Sequence, residues 1–175
     1  AGGVGGFGVQ ICANFGAMVI TTASERNHEF VKSLGAAYAI DYGSEDVVAR
    51  IMEITNGRGV DRVLAAVDET TADQGIEVLA FRGGLATVAG LPQLAESTFD
   101  NARSIHRVAY GGAHTSTNRE AQVDLALMAE EMIGLVAEKK IDPMIEQVIG
   151  LDDIPEGLAQ LETRHVRGKI VAELM

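Results

Sequence analysis

The chain opens with Ala1-Gly2-Gly3-Val4-Gly5-Gly6-Phe7-Gly8, a glycine-rich run that leads straight into a helical pattern. A backbone without Cβ atoms can lie against a pyrophosphate, whose oxygens then take up free N–H groups at the positive end of the helix dipole. The pattern G-x-G-x-x-G reads literally at Gly3, Gly5 and Gly8. Five glycines in eight residues match many patterns by chance, so a glycine-rich turn with no ligand is the competing reading.

Chemistry gathers a second time at Thr21-Thr22-Ala23-Ser24-Glu25-Arg26, the end of a short apolar strand that follows the first helix. In a dinucleotide site this strand tip reads the adenosine ribose, and a carboxylate there accepts from the 2′-hydroxyl of NAD. The tip here offers the hydroxyls of Thr22 and Ser24, followed by Arg26. Small hydroxyls leave room for a 2′-phosphate, and a guanidinium pairs with one bidentately. Glu25 is the one acid nearby and is free to point to solvent. These residue types favour NADP(H) over NAD(H). The competing reading makes Arg26 an ordinary solvated arginine.

Other reactive side chains carry less. None of His28, His106, His114 and His165 is paired with another or with Cys12 at a metal-ligand spacing, so no metal site is expected in this chain. Cys12 falls within the first helix and reads as a small buried hydrophobe. No Ser–His–Asp arrangement stands out. His106 and His114 flank Gly111-Gly112 and read as loop histidines.

The elements that must position these residues alternate in period along the chain. The first helix is expected over 5–15, with Val9, Cys12 and Ala13 inward and Gly16 as its stop. Strands are expected at 18–22, 38–40, 61–67, 85–89, 105–110, 144–149 and 169–174. Between them, helical spacing joins Phe30, Val31 and Leu34, then Val47 to Ile54 with Ser44 as the capping hydroxyl. Further helices are expected over 71–81, after Pro155, and over 121–138, where Leu125, Met128, Met132, Leu135 and Val136 form a core stripe. Strands alternating with helices predict an α/β domain on a doubly wound parallel sheet, a single domain over 1–175.

Bulk properties agree and set limits. With 47% hydrophobic residues, 175 residues suffice for one packed core. A formal charge of −11 repels nucleic acid and anionic lipid, so neither is an expected partner, although a local cluster of donors still holds an anionic cofactor. No apolar run is long enough to span a bilayer. The single cysteine forbids an internal disulfide, and a cytoplasmic setting is expected.

Ala1-Gly2-Gly3-Val4-Gly5 with Val9-Gln10 resembles the cofactor loop of the medium-chain dehydrogenases/reductases. Thr22-Ala23-Ser24 through Lys32-Ser33-Leu34-Gly35-Ala36, and then Ile40-Asp41-Tyr42, are similar to the units that follow it in the quinone-oxidoreductase and zinc-type alcohol-dehydrogenase-like branches. Gly59-Val60-Asp61, Gly83-Gly84 and Gly168-Lys169-Ile170-Val171 continue the likeness across essentially the whole chain. The resemblance implies a Rossmann-type dinucleotide-binding domain of an NADPH-dependent oxidoreductase. It would transfer hydride between nicotinamide and a carbonyl, quinone, enone or alcohol.

By the same resemblance, the first fingerprint glycine would precede Ala1, and Gly2 and Gly5 take the second and third roles. The N–H groups of Gly3 and Val4 would face the pyrophosphate, and Ser24, Arg26 and Tyr42 would surround the 2′-phosphate. Val67, Gly90 and Leu91 would lie along the cofactor toward the nicotinamide. The run Ala65-Ala66-Val67-Asp68-Glu69 departs from relatives, which often show Asp, a small residue, Val and Gly there.

The resemblance further implies an N-terminal catalytic domain that supplies the substrate pocket and, in some branches, zinc ligands, so this chain alone is expected to be inactive. It also implies a homodimer paired through the edge strand at 105–110. A Rossmann sheet has its first strand directly before the glycine loop. That strand is therefore expected to lie outside the sequence. The 169–174 strand, which in relatives returns to the catalytic domain, is the best internal candidate to fill its place between the strands at Val19 and Leu64, from its own chain or from a neighbour. Two rivals stand beside this reading. One is a non-catalytic dinucleotide-sensing domain. The other is a methyltransferase, which fits poorly because the strand tip lacks an acid for the ribose hydroxyls.

Overall fold

A computed structural model describes residues 1–93, 102–115, 117–163 and 166–174. The chain divides into two compact units, one made of 1–41 with 135–175 and the other of 42–134.

In the first unit, helix α1 (Gly3–Asn14) starts two residues earlier than expected. Gly2 is its N-cap in extended backbone, and the Gly6 N–H donates to the Gly2 carbonyl at 2.8 Å, closing the first turn. The glycine run is thus the beginning of the helix itself. Gly16, at φ +77°, turns the chain out of it. Strand β1 (Ile20–Thr22), helix α2 (His28–Ser33) and strand β2 (Tyr38–Ile40) follow. The two strands pair in parallel, Ile20 opposite Tyr38 and Thr22 opposite Ile40. Val9, Ala23, Val31, Leu34, Ala36 and Met144 form the core of this unit.

The second unit begins its regular structure with helix α3 (Val47–Ile54), capped by Asp46, which accepts from the Ala49 N–H at 3.0 Å. The cap expected at Ser44 moves two residues on, because a carboxylate one residue before the helix reaches the third N–H more directly. Strand β3 (Val60–Ala65), helix α4 (Glu69–Glu77), strand β4 (Leu79–Thr87) and strand β5 (Ser104–Arg107) build a parallel sheet in the order β3-β4-β5. Strand β4 begins six residues before its expected start. Leu79 already pairs with Val60, and a kink at Arg82 (φ +63°) carries the strand past a register shift. Ala65, Ala72, Leu79 and Leu85 make the core here. Helix α5 (Gly111–Thr115), which was not foreseen, precedes α6 (Arg119–Ala137). Of the stripe expected on α6, Leu125, Met132, Leu135 and Val136 are half-buried, whereas Met128 is exposed.

Back in the first unit, strand β6 (Ile145–Ile149), helix α7 (Ile154–Glu162) and strand β7 (Lys169–Ala172) form a parallel β-α-β unit. This overturns the expected insertion. Strand β7 pairs with β6, Val148 opposite Val171, and with neither β1 nor β3. A strand with an apolar parallel partner one short helix away satisfies its N–H and C=O groups locally, without the entropy of a long closure. Among the described residues, β1 pairs with β2 alone and β3 with β4 alone.

Candidate functional site

The glycines at the start of α1 fall into two kinds. A Cβ on Gly3 would overlap the end of the Lys169 side chain, and one on Gly6 would overlap the Met144 thioether. A Cβ at either would have to displace the flexible end of that neighbouring side chain. Around Gly2 and Gly5, by contrast, nothing lies within 4 Å of where a Cβ would stand. Gly2 sits at φ −76° and Gly5 lies inside the helix, so the backbone does not demand glycine at either. Gly2 and Gly5 thus leave open space over the start of the helix.

The electrostatics of this turn suit an anion. The first turn of α1 contains no acidic residue, and the Gly2 cap offers no side chain to its N–H groups. The donors of Gly3, Val4 and Gly5 thus lack the partners that a Ser or Asp cap supplies. Lys169 adds a cation, with its ammonium end packed on Gly3. The turn is tied down by its neighbours: Gly2 bridges Gly168 in parallel, and the Gly168 N–H donates to the Ala1 carbonyl at 3.1 Å.

At the tip of β1, the Ala23 N–H donates to the Ile40 carbonyl at 3.0 Å, and Ser24 starts a single 3-10 turn, Glu25–Asn27. Asn27 Nδ2 donates to Ser24 Oγ at 3.0 Å, which orients the hydroxyl and leaves its own O–H as a donor. Arg26 is exposed on this turn and lines a shallow cleft of about 370 Å³ with Asn27, Glu146, Gln160, Arg167 and Ile170. Glu146 is neutralised there by Arg167, which approaches it at 2.5 Å and stacks 5.0 Å over the Phe30 ring. The carboxylate in the cleft therefore has its own cation, and Arg26 is not drawn to it.

In the second unit, Tyr42, Val67 and Leu91 are all exposed, Val67 at 65%. Gly90 has φ +81°, and a Cβ there would stand 2.7 Å from the Glu69 nitrogen. Only glycine fits this turn against the start of α4. The departure at Asp68-Glu69 has a structural account. Asp68 caps α4, accepting from the Thr71 N–H at 2.9 Å while Thr71 Oγ1 accepts from the Asp68 N–H at 3.2 Å.

Two sequence expectations are corrected in the first unit. Cys12 is exposed, because the buried face of α1 is formed by Gly6, Val9 and Gln10. Gln10, a polar residue that sequence reasoning did not single out for a role, lies inside and bonds the backbone of Asp142. Its signal was a lone amide on an otherwise apolar helix face. Among the described residues, no three of His, Cys, Asp or Glu group so as to hold a metal ion. His165 lies outside the described residues.

With this geometry in view, comparison with known proteins is direct. The family model for "Zinc-binding dehydrogenase" matches residues 34–171. A zinc-type alcohol dehydrogenase-like protein of Schizosaccharomyces pombe is 30% identical over 99% of this chain and 49% of its own length. The quinone oxidoreductase of Escherichia coli, solved in complex with NADPH, superimposes with a TM-score of 0.80 at 25% identity, over 99% of this chain and 55% of that one. The crystal structure of an NAD-dependent alcohol dehydrogenase superimposes with a TM-score of 0.77 at 26% identity, over 99% of this chain and 49% of that one. The chain spans about half the length of the relatives it matches. Its fold is the Rossmann-type α/β fold of these proteins, built on parallel strands. The chain belongs to the zinc-binding dehydrogenase family, within the medium-chain dehydrogenases/reductases.

Proposed function

We propose that this chain is the NADP(H)-binding half of an oxidoreductase that moves hydride between nicotinamide and a carbonyl, quinone, enone or alcohol. One observation carries the reading: the start of α1 holds two glycines, Gly2 and Gly5, that neither packing nor backbone conformation requires, with its first N–H groups uncapped. The N–H groups of Gly3 and Val4 would hold the pyrophosphate, in the space left open at Gly2 and Gly5. Ser24, Arg26 and Tyr42 would receive the 2′-phosphate, a choice supported by the uncommitted guanidinium and by a strand tip whose only acid is Glu25. Val67, Gly90 and Leu91 would border the nicotinamide half.

The bound nicotinamide would supply the hydride itself. The part of this chain is to orient the cofactor and to present one face of it to substrate. The parent protein would work in the cytoplasm as a homodimer joined along β5, the outer strand of its sheet. Thermal-shift measurements with NADPH, NADH and S-adenosylmethionine test the reading, because a ligand that binds only the folded protein raises its melting temperature. NADPH should give the largest rise. A response to S-adenosylmethionine alone would overturn it.

A further inference from the structure

Strand β4 ends at Thr87, whose side chain is nearly fully buried at 1% exposure. Its hydroxyl donates to the Gly90 carbonyl, folding the chain back on itself directly after the strand. Gly90 then presses on the first peptide of α4, close enough to Glu69 to exclude a Cβ. Two residues beyond Leu91, the Gln93 N–H donates to Asp73 Oδ1 at 2.6 Å, and Gln93 Nε2 donates to Glu69 Oε1 at 3.0 Å. Glu69 and Asp73 are four residues apart and so share one face of α4. The helix is itself held at this end by the reciprocal Asp68–Thr71 cap.

The segment from Thr87 to Gln93 is thus closed on itself by one hydrogen bond and fastened by two more to a capped helix, and it carries Leu91 outward at 47% exposure. A bare connection between strands needs none of these bonds. We propose that Thr87, Gln93, Glu69 and Asp73 are positioning residues. They preset the Gly90–Leu91 turn so that the nicotinamide half of the cofactor meets a rigid wall, while touching no cofactor themselves. The inference rests on the dinucleotide reading above. Ordering this turn before binding spares the entropy of ordering it on binding, so loosening it should weaken the ligand half that contacts it and leave the other half unaffected.

The test compares NADPH with adenosine 2′,5′-bisphosphate, which lacks the nicotinamide half, by calorimetric titration of the wild-type protein and of Thr87→Val, Asp73→Ala and Asp73→Asn. Asp73→Asn retains an acceptor oxygen for the Gln93 N–H and should bind both ligands as wild type does. Thr87→Val and Asp73→Ala should lose about tenfold in NADPH affinity and keep their affinity for the bisphosphate. Unchanged NADPH affinity in both variants overturns the inference alone. An equal loss for both ligands also overturns it, since that marks general damage to the fold. A wild-type protein that binds neither ligand overturns the dinucleotide reading and this inference together.

Discussion

Gln10 and Asp142 exchange two hydrogen bonds: the Gln10 amide donates to the Asp142 carbonyl at 3.0 Å and accepts from the Asp142 N–H at 2.7 Å. The pair fixes α1 about its axis against the segment leading to β6, on the buried side of the glycine helix. Gln10→Ala leaves two backbone groups without partners in a site where the side chain is 6% exposed. It should cost about 1–3 kcal/mol in urea unfolding. An unchanged midpoint would show that water replaces the amide without loss.

The two kinds of glycine in α1 make opposite predictions. Gly5→Ala adds a methyl to open space and removes a poor helix former, so stability should hold or rise by up to about 1 kcal/mol. The same change should abolish the NADPH thermal shift by filling the pyrophosphate cradle. Gly6→Ala pushes into Met144 and should cost about 1–3 kcal/mol, toward the low end because a thioether yields. If Gly5→Ala keeps full NADPH binding, the cradle has been misread.

Arg26 governs the choice of cofactor. Losing a hydrogen bond to a charged group costs about 1.5–3 kcal/mol, so Arg26→Ala should weaken NADPH by roughly ten- to a hundredfold. NADH binding should barely move. Dissociation constants for both cofactors, measured at fixed salt, check this, and equal affinities in the unaltered protein would remove the basis for an NADP(H) preference.

The outer strand β5 predicts assembly. Among the described residues, Ser104–Arg107 pairs with β4 alone, and an unpaired strand edge recruits a second copy. Light scattering of the purified protein at micromolar concentration should report a dimer. A monomer there counts against pairing along this strand.

Much of this was legible in the sequence where local signals agree. The glycine run, the Asn56-Gly57 stop and most of the short strands and periodic helices appear close to where they were expected, since turn chemistry and periodicity act over a few residues, whereas the helix expected over 71–81 ends at Glu77 and gives way to β4. The β4 boundary was not legible, because Leu79 joins its strand through Val60, nineteen residues earlier. Cys12 and Gln10 exchanged places for a similar reason: both sit on a small-residue helix where only the partner segment decides which side is covered. The expected insertion of β7 failed because it counted unpaired edges and overlooked that β6 offers a parallel partner next door. The spacing of the site's glycines was readable, but the distinction between packed and open glycines was not, since it depends on Lys169 and Met144.

The bridge between Gly2 and Gly168 has a consequence for how the protein is made. The ribosome emits the glycine helix well before Gly168 and Lys169, yet its opening turn is held by the one and Gly3 is covered by the other. At about 5–20 residues per second, the first glycines wait on the order of ten seconds for those partners. Until then the nascent chain carries the anion-binding turn unbraced. The glycine turn is therefore made well before it is completed, and a chain arrested before Gly168 emerges would carry α1 to α7 and an unfinished turn.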